Sequence, residues 1–361
     1  MTGMTLVDLD ELKRRAHVVA LPLRVPFRGV TVREAMLFEG PDVWTEWAPF
    51  VEYGPQEASR WLRSSLFIDA HGFSSPGVPV EVNATIPAVD VARDPGAVRR
   101  LMEQYPGCTT VKVKVAEKGQ GVEDDLARVR AVRAWFAENY GGAAATDTPK
   151  IRMDANGGWS VEDALRVIEV VAQEGACDYA EQPCATVEEL AAVRMGLMRR
   201  GIFVRVAADE SIRKSADPLA AVREVVDANA CDVAVVKVPP LGGVDRLLEI
   251  ADDVARRGVA LTVSSALDTA VGVGAGLEAA ACLRREIECG DDEGVVVPAQ
   301  AAGLATGSLF EVDVARRPIV DGCIVSGPVV PDREVLERWA APAERREWWL
   351  RRLEAAYQHL L

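Results

Sequence analysis

The chain is predicted to be an α/β protein: a modified TIM barrel, (β/α)7β, behind an N-terminal α+β cap that the C-terminal tail completes. Three observations lead there. From about Asn83 onward, short β-rich runs alternate with charged segments of helical period. Acidic residues recur at the ends of successive runs with near-constant spacing. The opening segment and the Trp-rich tail follow neither pattern.

The β-rich runs are Glu81–Pro87, Thr110–Ala116, Lys150–Asn156, Asp178–Pro183, Phe203–Ser211, Asp232–Pro240 and Val259–Leu267. Val122–Asn139, Val161–Gly175, Val187–Arg200, Pro218–Asn229 and Val244–Gly258 read as the intervening helices. Alternation at this length means parallel strands with helical crossovers. Val233–Val236 is apolar on both faces, as a strand under a helix layer should be. Ser160 and Thr186 each precede a run with a carboxylate at or beside the third helical position, which marks helix starts. An eighth, fainter strand is expected near Ile287–Cys289, and Gly141–Thr148 is expected to be a surface loop. Upstream, Val18–Arg24 and Val30–Glu39 read as an antiparallel pair, followed by a helix over Gln56–Phe67. The expected units are a cap at 1–82, the barrel at 83–320, and a segment at 321–361 packing on the cap.

Length and composition agree. A barrel takes roughly 250 residues, and 361 leaves enough for a second module. Lys and Arg number 41 against 55 Asp and Glu, a formal charge of −14. So acidic a surface argues against nucleic acid or an anionic membrane as partner, while a local cationic pocket for a small anion stays open. Seven scattered cysteines without a C-x-x-C pair read as reduced thiols. Asp8, Asp10 and Glu11 stand where a signal peptide would need an apolar run, so a cytoplasmic enzyme is expected. The three histidines lie at 17, 71 and 359, none of them in the barrel repeat, which disfavours a histidine base.

The chemistry sits at the strand ends. Asp154, Glu181, Asp209 and Lys237 are separated by 27, 28 and 28 residues, about one β/α unit each. Any one acid alone would be read as a helix-cap neighbour or half of an ion pair. Three in one register converge on the C-terminal mouth of a barrel, where they repel unless a cation sits among them. Oxygen donors without histidine or cysteine select Mg²⁺ or another hard divalent ion such as Mn²⁺. In Val111-Lys112-Val113-Lys114-Val115 the valines claim the helix layer, so both lysines face inward. Burial and like charge are expected to lower a lysine pKa there, which makes Lys114 the candidate base and Lys112 its supporting charge. Arg152 shares the face of Asp154; it either braces a ligand or meets a substrate anion, or it is a structural ion pair. Asn156 lies on the same face as a supporting donor. Glu210 alternates away from the site. Ser264 and Ser265 either bind a substrate carboxylate or serve ordinary turn chemistry. Gly272, Gly274 and Gly276 are read as allowing close helix packing, not as a phosphate loop.

The set Lys112-Val-Lys114, Asp154-Ala-Asn156, Glu181-Gln-Pro183, Asp209-Glu-Ser211 and Lys237 resembles the enolase superfamily, in its muconate-lactonising-enzyme-like subgroup. Thr110–Glu117, Arg152–Ser160 and Ser264–Thr269 narrow the likeness to the actinobacterial o-succinylbenzoate synthases. That resemblance implies a metal-dependent syn dehydration of a small anionic cyclohexadiene carboxylate through a metal-stabilised enediolate, a step in menaquinone synthesis. It implies that Lys114 moves the proton, that Lys237 faces the ring from the other side, and that the cap closes over the site. Arg24 and Arg28, on the Leu21–Val30 turn, become lid candidates. The interval from Asp209 to Lys237 suggests a long fifth helix. The rival reading is an N-acylamino acid racemase or dipeptide epimerase using the same two lysines, and a non-catalytic barrel is a more distant one.

Overall fold

A computed structural model describes residues 6–27, 29–140, 149–288 and 300–361. Seven parallel strands form one sheet in sequential order: Ala84–Ile86, Thr110–Lys114, Lys150–Asp154, Tyr179–Glu181, Arg205–Ala208, Val233–Lys237 and Ala260–Ser264. Helices over Val122–Tyr140, Val161–Glu174, Val187–Arg199, Pro218–Asp227 and Val244–Arg256 return the chain between them. Ser160 and Thr186 cap two of these through their hydroxyls, on Asp163 N and Glu189 N. Val111, Val113, Met153, Val206 and Val236 pack into the helix layer and are essentially unexposed. Gly276 lets that layer close up: a Cβ there would meet Leu304 Cδ2 at 2.6 Å.

The eighth stave is not where the sequence suggested. Residues through Glu288 belong to the helix Val273–Glu288, and Cys289 lies outside the described residues. Closure comes instead from Ala302 and Gly303, which bridge in parallel to Val82 and to Ser264. Ala302 N donates to Glu81 O at 2.8 Å and Gly303 N to Val263 O at 2.8 Å. Two residues suffice to join the first stave to the seventh. The expected loop Gly141–Thr148 lies outside the described residues.

In the cap, Ala16–Phe27 pairs antiparallel with Val30–Glu39, and Val30–Glu39 pairs with a third strand, Trp44–Trp47. The helix Pro55–His71 lies beside that sheet. The tail completes this unit. From the helix Ala343–Tyr357, Trp349 meets Trp47 edge-on with ring centroids 5.4 Å apart, and Arg352 donates to the carbonyls of Pro49, Phe50 and Tyr53. The long fifth helix is not found. The residues after Asp209 instead make a separate short helix, Glu210–Arg213, before Pro218–Asp227.

Cap and barrel meet around the turn after the seventh strand. Arg33, buried in the cap, donates to Leu267 O at 2.9 Å. Glu46 accepts from Thr269 N at 3.2 Å and Thr269 Oγ1 at 2.5 Å. Its carboxyl is folded over Gly272, where a Cβ would lie 2.4 Å from Glu46 Oε1. Burial, and then Asp268, push the Glu46 carboxyl from its ordinary 4.5 up to about 8, against the pull of Thr269 and Arg33. The folded state therefore holds this proton longer than the unfolded chain does. Its contribution to stability is lost as pH rises from about 4.5 to about 8, at about 1.4 kcal/mol per pH unit for one proton. Glu46→Gln is expected to flatten that decline, so denaturation midpoints at pH 5.5 and 8 should differ less than in the native chain. An unchanged pH dependence would show that Glu46 is not the group responsible.

Candidate active site

Register builds the site. Lys114, Asp154 and Glu181 are direct neighbours across three parallel strands, and Lys237 is paired with Ser264 across two more. Glu181 pairs with Ala207, so Asp209 lies two residues further along its own stave, a stagger that keeps it on the inward face. Asp154, Glu181 and Asp209 have no exposed surface at all.

Lysines answer each of these carboxylates. Lys112 Nζ donates to both oxygens of Glu181, at 3.0 and 3.3 Å, and lies 3.2 Å from Asp154 Oδ2. Lys114 Nζ donates to Asp154 Oδ2 at 2.5 Å and to Asn156 Oδ1 at 2.8 Å. From the sixth strand, Lys237 donates to Asp209. The expected lowering of pKa is not what Lys112 shows. Burial does pull it down, but Glu181 and Asp154 outweigh burial and raise it. A buried ammonium sandwiched between two carboxylates keeps its proton.

The cluster still has room for positive charge. Burial, then Asp154, push the Glu181 carboxyl up to about 7 despite Lys112. Among the described residues no three acidic, histidine or cysteine side chains are gathered into a ready chelate; the ammonium groups stand between the acids. The donors are nonetheless all hard oxygens at the barrel mouth, and a divalent cation fits that chemistry. Asp154, Glu181 and Asp209 are the residues that would hold it.

Other expected residues fall into place differently. Arg152 is fully buried, but it donates to Asp178 Oδ2 at 2.9 Å, Asn83 Oδ1 at 3.0 Å and Ala301 O at 2.6 Å, and its guanidinium lies over the Tyr179 ring. It ties the first, fourth and eighth staves together, which is the structural alternative of the two readings. Ser265 Oγ is engaged with Thr306 Oγ1 at 2.7 Å and accepts from Leu267 N, which is turn chemistry. Ser264 is buried at the Gly303 bridge, level with Lys237. Arg24 is exposed, with Nη2 3.5 Å from Glu311 O. Arg28 lies outside the described residues.

Two residues escaped the sequence reading. The strand ends at Ala208, so alternation no longer governs Glu210. It opens a short helix, swings back, and accepts from Asn156 Nδ2 at 3.1 Å. Gln182, with φ +39°, is buried and accepts from Asp209 N at 3.0 Å and Ser211 N at 3.1 Å, fixing the backbone that carries Asp209. The Glu-Gln-Pro triplet was the available signal for it.

Comparison with known proteins agrees with this architecture. Residues 96–322 match the enolase C-terminal domain-like family and residues 18–67 the enolase N-terminal domain-like family. The o-succinylbenzoate synthase of Mycolicibacterium smegmatis is 48% identical over 97% of both chains. That of Mycobacterium marinum is 46% identical over 97% of this chain and 95% of its own. In fold, the chain is similar to the muconate lactonizing enzyme of Pseudomonas fluorescens (TM-score 0.67, 17% identity, 91% of this chain and 98% of that one). It is also similar to the L-Ala-D/L-Glu epimerase of Bacillus subtilis (TM-score 0.65, 17% identity, 88% and 96%). By its two matched domains, its full-length relatives and the lysine-flanked acids at its barrel mouth, the chain belongs to the enolase superfamily.

Proposed function

We propose that this protein is a lyase, an o-succinylbenzoate synthase. It would dehydrate 2-succinyl-6-hydroxy-2,4-cyclohexadiene-1-carboxylate to o-succinylbenzoate with Mg²⁺ as its metal. One observation carries the reaction class: Lys114 and Lys237, from the second and sixth staves, flank a row of fully buried carboxylates. The substrate comes from relatives at 45–48% identity over nearly the whole chain.

In this reading Lys114 removes the proton next to the substrate carboxylate and then returns one to the departing hydroxyl, so a single face serves both transfers. Lys237 stays charged opposite and faces the ring as a cation. Lys112, locked to Glu181 and Asp154, holds the carboxylate row in place. When bound, the metal supplies Lewis-acid stabilisation of the negative charge that develops on the substrate carboxylate.

The test follows ultraviolet absorbance as the cyclohexadiene becomes aromatic. Rapid turnover is expected with Mg²⁺ and nearly none with chelator present. Equal rates in both would overturn the assignment. Solvent deuterium entering an N-acylamino acid or dipeptide, without dehydration of the diene, would establish the epimerase instead.

A further inference from the structure

A chain of hydrogen bonds leaves Lys114, crosses the barrel mouth and ends on the cap. Lys114 Nζ donates to Asn156 Oδ1 at 2.8 Å, and Asn156 Nδ2 donates to Glu210 Oε1 at 3.1 Å. Arg213 Nη2 donates to that same Glu210 oxygen at 3.0 Å, and Arg213 Nη1 donates to the Tyr53 hydroxyl at 2.7 Å. Glu210 is buried and Arg213 nearly so, with 8% and 9% of their side chains exposed.

Every link has only one chemical sense. An ammonium offers no acceptor and a carboxylate no donor, so the Asn156 amide cannot flip without losing both partners. Glu210 is held from the far side by a guanidinium. That guanidinium has two claimants: the Tyr53 hydroxyl at 2.7 Å, and Asp209 Oδ1, 3.9 Å from Nε. Without the cap hydroxyl, Arg213 is free to move toward Asp209 and away from its present hold on Glu210. Tyr53 is itself anchored. Its ring lies in a cluster with Phe50 and Trp61, at 6.0 and 6.1 Å between centroids, and its carbonyl accepts from Arg352 at 3.0 Å.

We propose that Tyr53 and Arg213 are positioning residues: through Glu210 and Asn156, the seated cap holds the Lys114 amine at its working orientation. The proposal rests on Lys114 being the base. Neither residue need touch substrate for the effect, since outer partners of a reactive group routinely set its geometry. The cap would then do more than cover the site, because its docking would complete the base.

Tyr53→Phe tests this, since it keeps the ring in its cluster and removes only the hydroxyl. With saturating Mg²⁺, kcat is expected to fall about tenfold, with KM within twofold of native and an unchanged melting temperature. Asn156→Ala, at the other end of the chain, should lower kcat more. The double variant should be no slower than Asn156→Ala alone, because a cut chain cannot be cut again. Native kcat in Tyr53→Phe, or effects that multiply in the double variant, would overturn the proposal. So would a loss confined to KM or to melting temperature. Lys114→Ala run beside them separates the two readings. If it is inactive while Tyr53→Phe is native, the base stands and the relay falls; if it remains active, the base reading fails first.

Discussion

Lys114→Ala is expected to lower kcat by about 10³-fold, within the range that positioned proton transfer supplies, while leaving the fold intact. In the proposed mechanism this residue serves both proton transfers, so nothing downstream compensates for its loss. Lys112 cannot take over. It points the same way from two residues earlier, but its amine is held by Glu181 and Asp154, which together keep it protonated. Stability should survive because Asp154 keeps Lys112 at 3.2 Å and the backbone N–H of Asn156 at 3.2 Å. Steady-state rates with Mg²⁺ and a thermal melt check both halves. A variant retaining more than a tenth of native kcat would exclude Lys114 as the base.

Arg152→Ala is expected to act in the opposite manner, on the fold before the chemistry. Its guanidinium is 1% exposed and joins Asp178, Asn83 and the carbonyl of Ala301. Burial pushes the Asp178 carboxyl up, but Arg152 and Arg205 outweigh it and hold the group below its ordinary range. Removing Arg152 leaves Asp178 leaning on Arg205 alone and opens a void over Tyr179. Breaking a buried pair of this kind costs about 3–5 kcal/mol, a large part of the 5–15 kcal/mol or so that holds a typical protein folded. Denaturant unfolding should therefore shift sharply, and Arg152→Lys should not restore it, because one ammonium cannot span three acceptors. A variant that melts like the native chain but has a raised KM would return Arg152 to the substrate.

These two residues also show what was readable in advance. Lys112 and Lys114 could be placed because Val111 and Val113 needed the helix layer and a strand has only two faces. Arg152 shares its face with Asp154, yet the pattern says nothing about height along the barrel. Two residues deeper, the same face looks onto neighbouring staves instead of the mouth. Glu210 was misread because alternation was carried two residues past the strand, where Asp209 already has φ −121° and ψ −68° and a helix begins. The closing stave was missed for lack of length: Ala302 and Gly303 bridge through backbone groups, and neither side chain carries a strand pattern. The third cap strand, Trp44–Trp47, is four residues long and follows a turn at Gly40, too short for a period to register. For Lys112 the downward shift fails because desolvation is outweighed by the acids one stave away and beyond, Asp154 and Glu181.

The clasp between the cap and the last helix has a consequence for how the protein is made. Tyr357 donates to Val7 O across 350 positions of sequence, and Trp349, Leu353 and Ala356 share a core with Leu12, Val19, Leu37 and Trp47. On a ribosome adding roughly 5–20 residues per second, the hairpin emerges first and waits some tens of seconds for its final wall. The barrel repeats can pair with their neighbours meanwhile. Nascent chains should therefore show a protease-resistant barrel while the first strands are still cut, with protection of the N-terminal hairpin appearing only once the helix Ala343–Tyr357 has emerged.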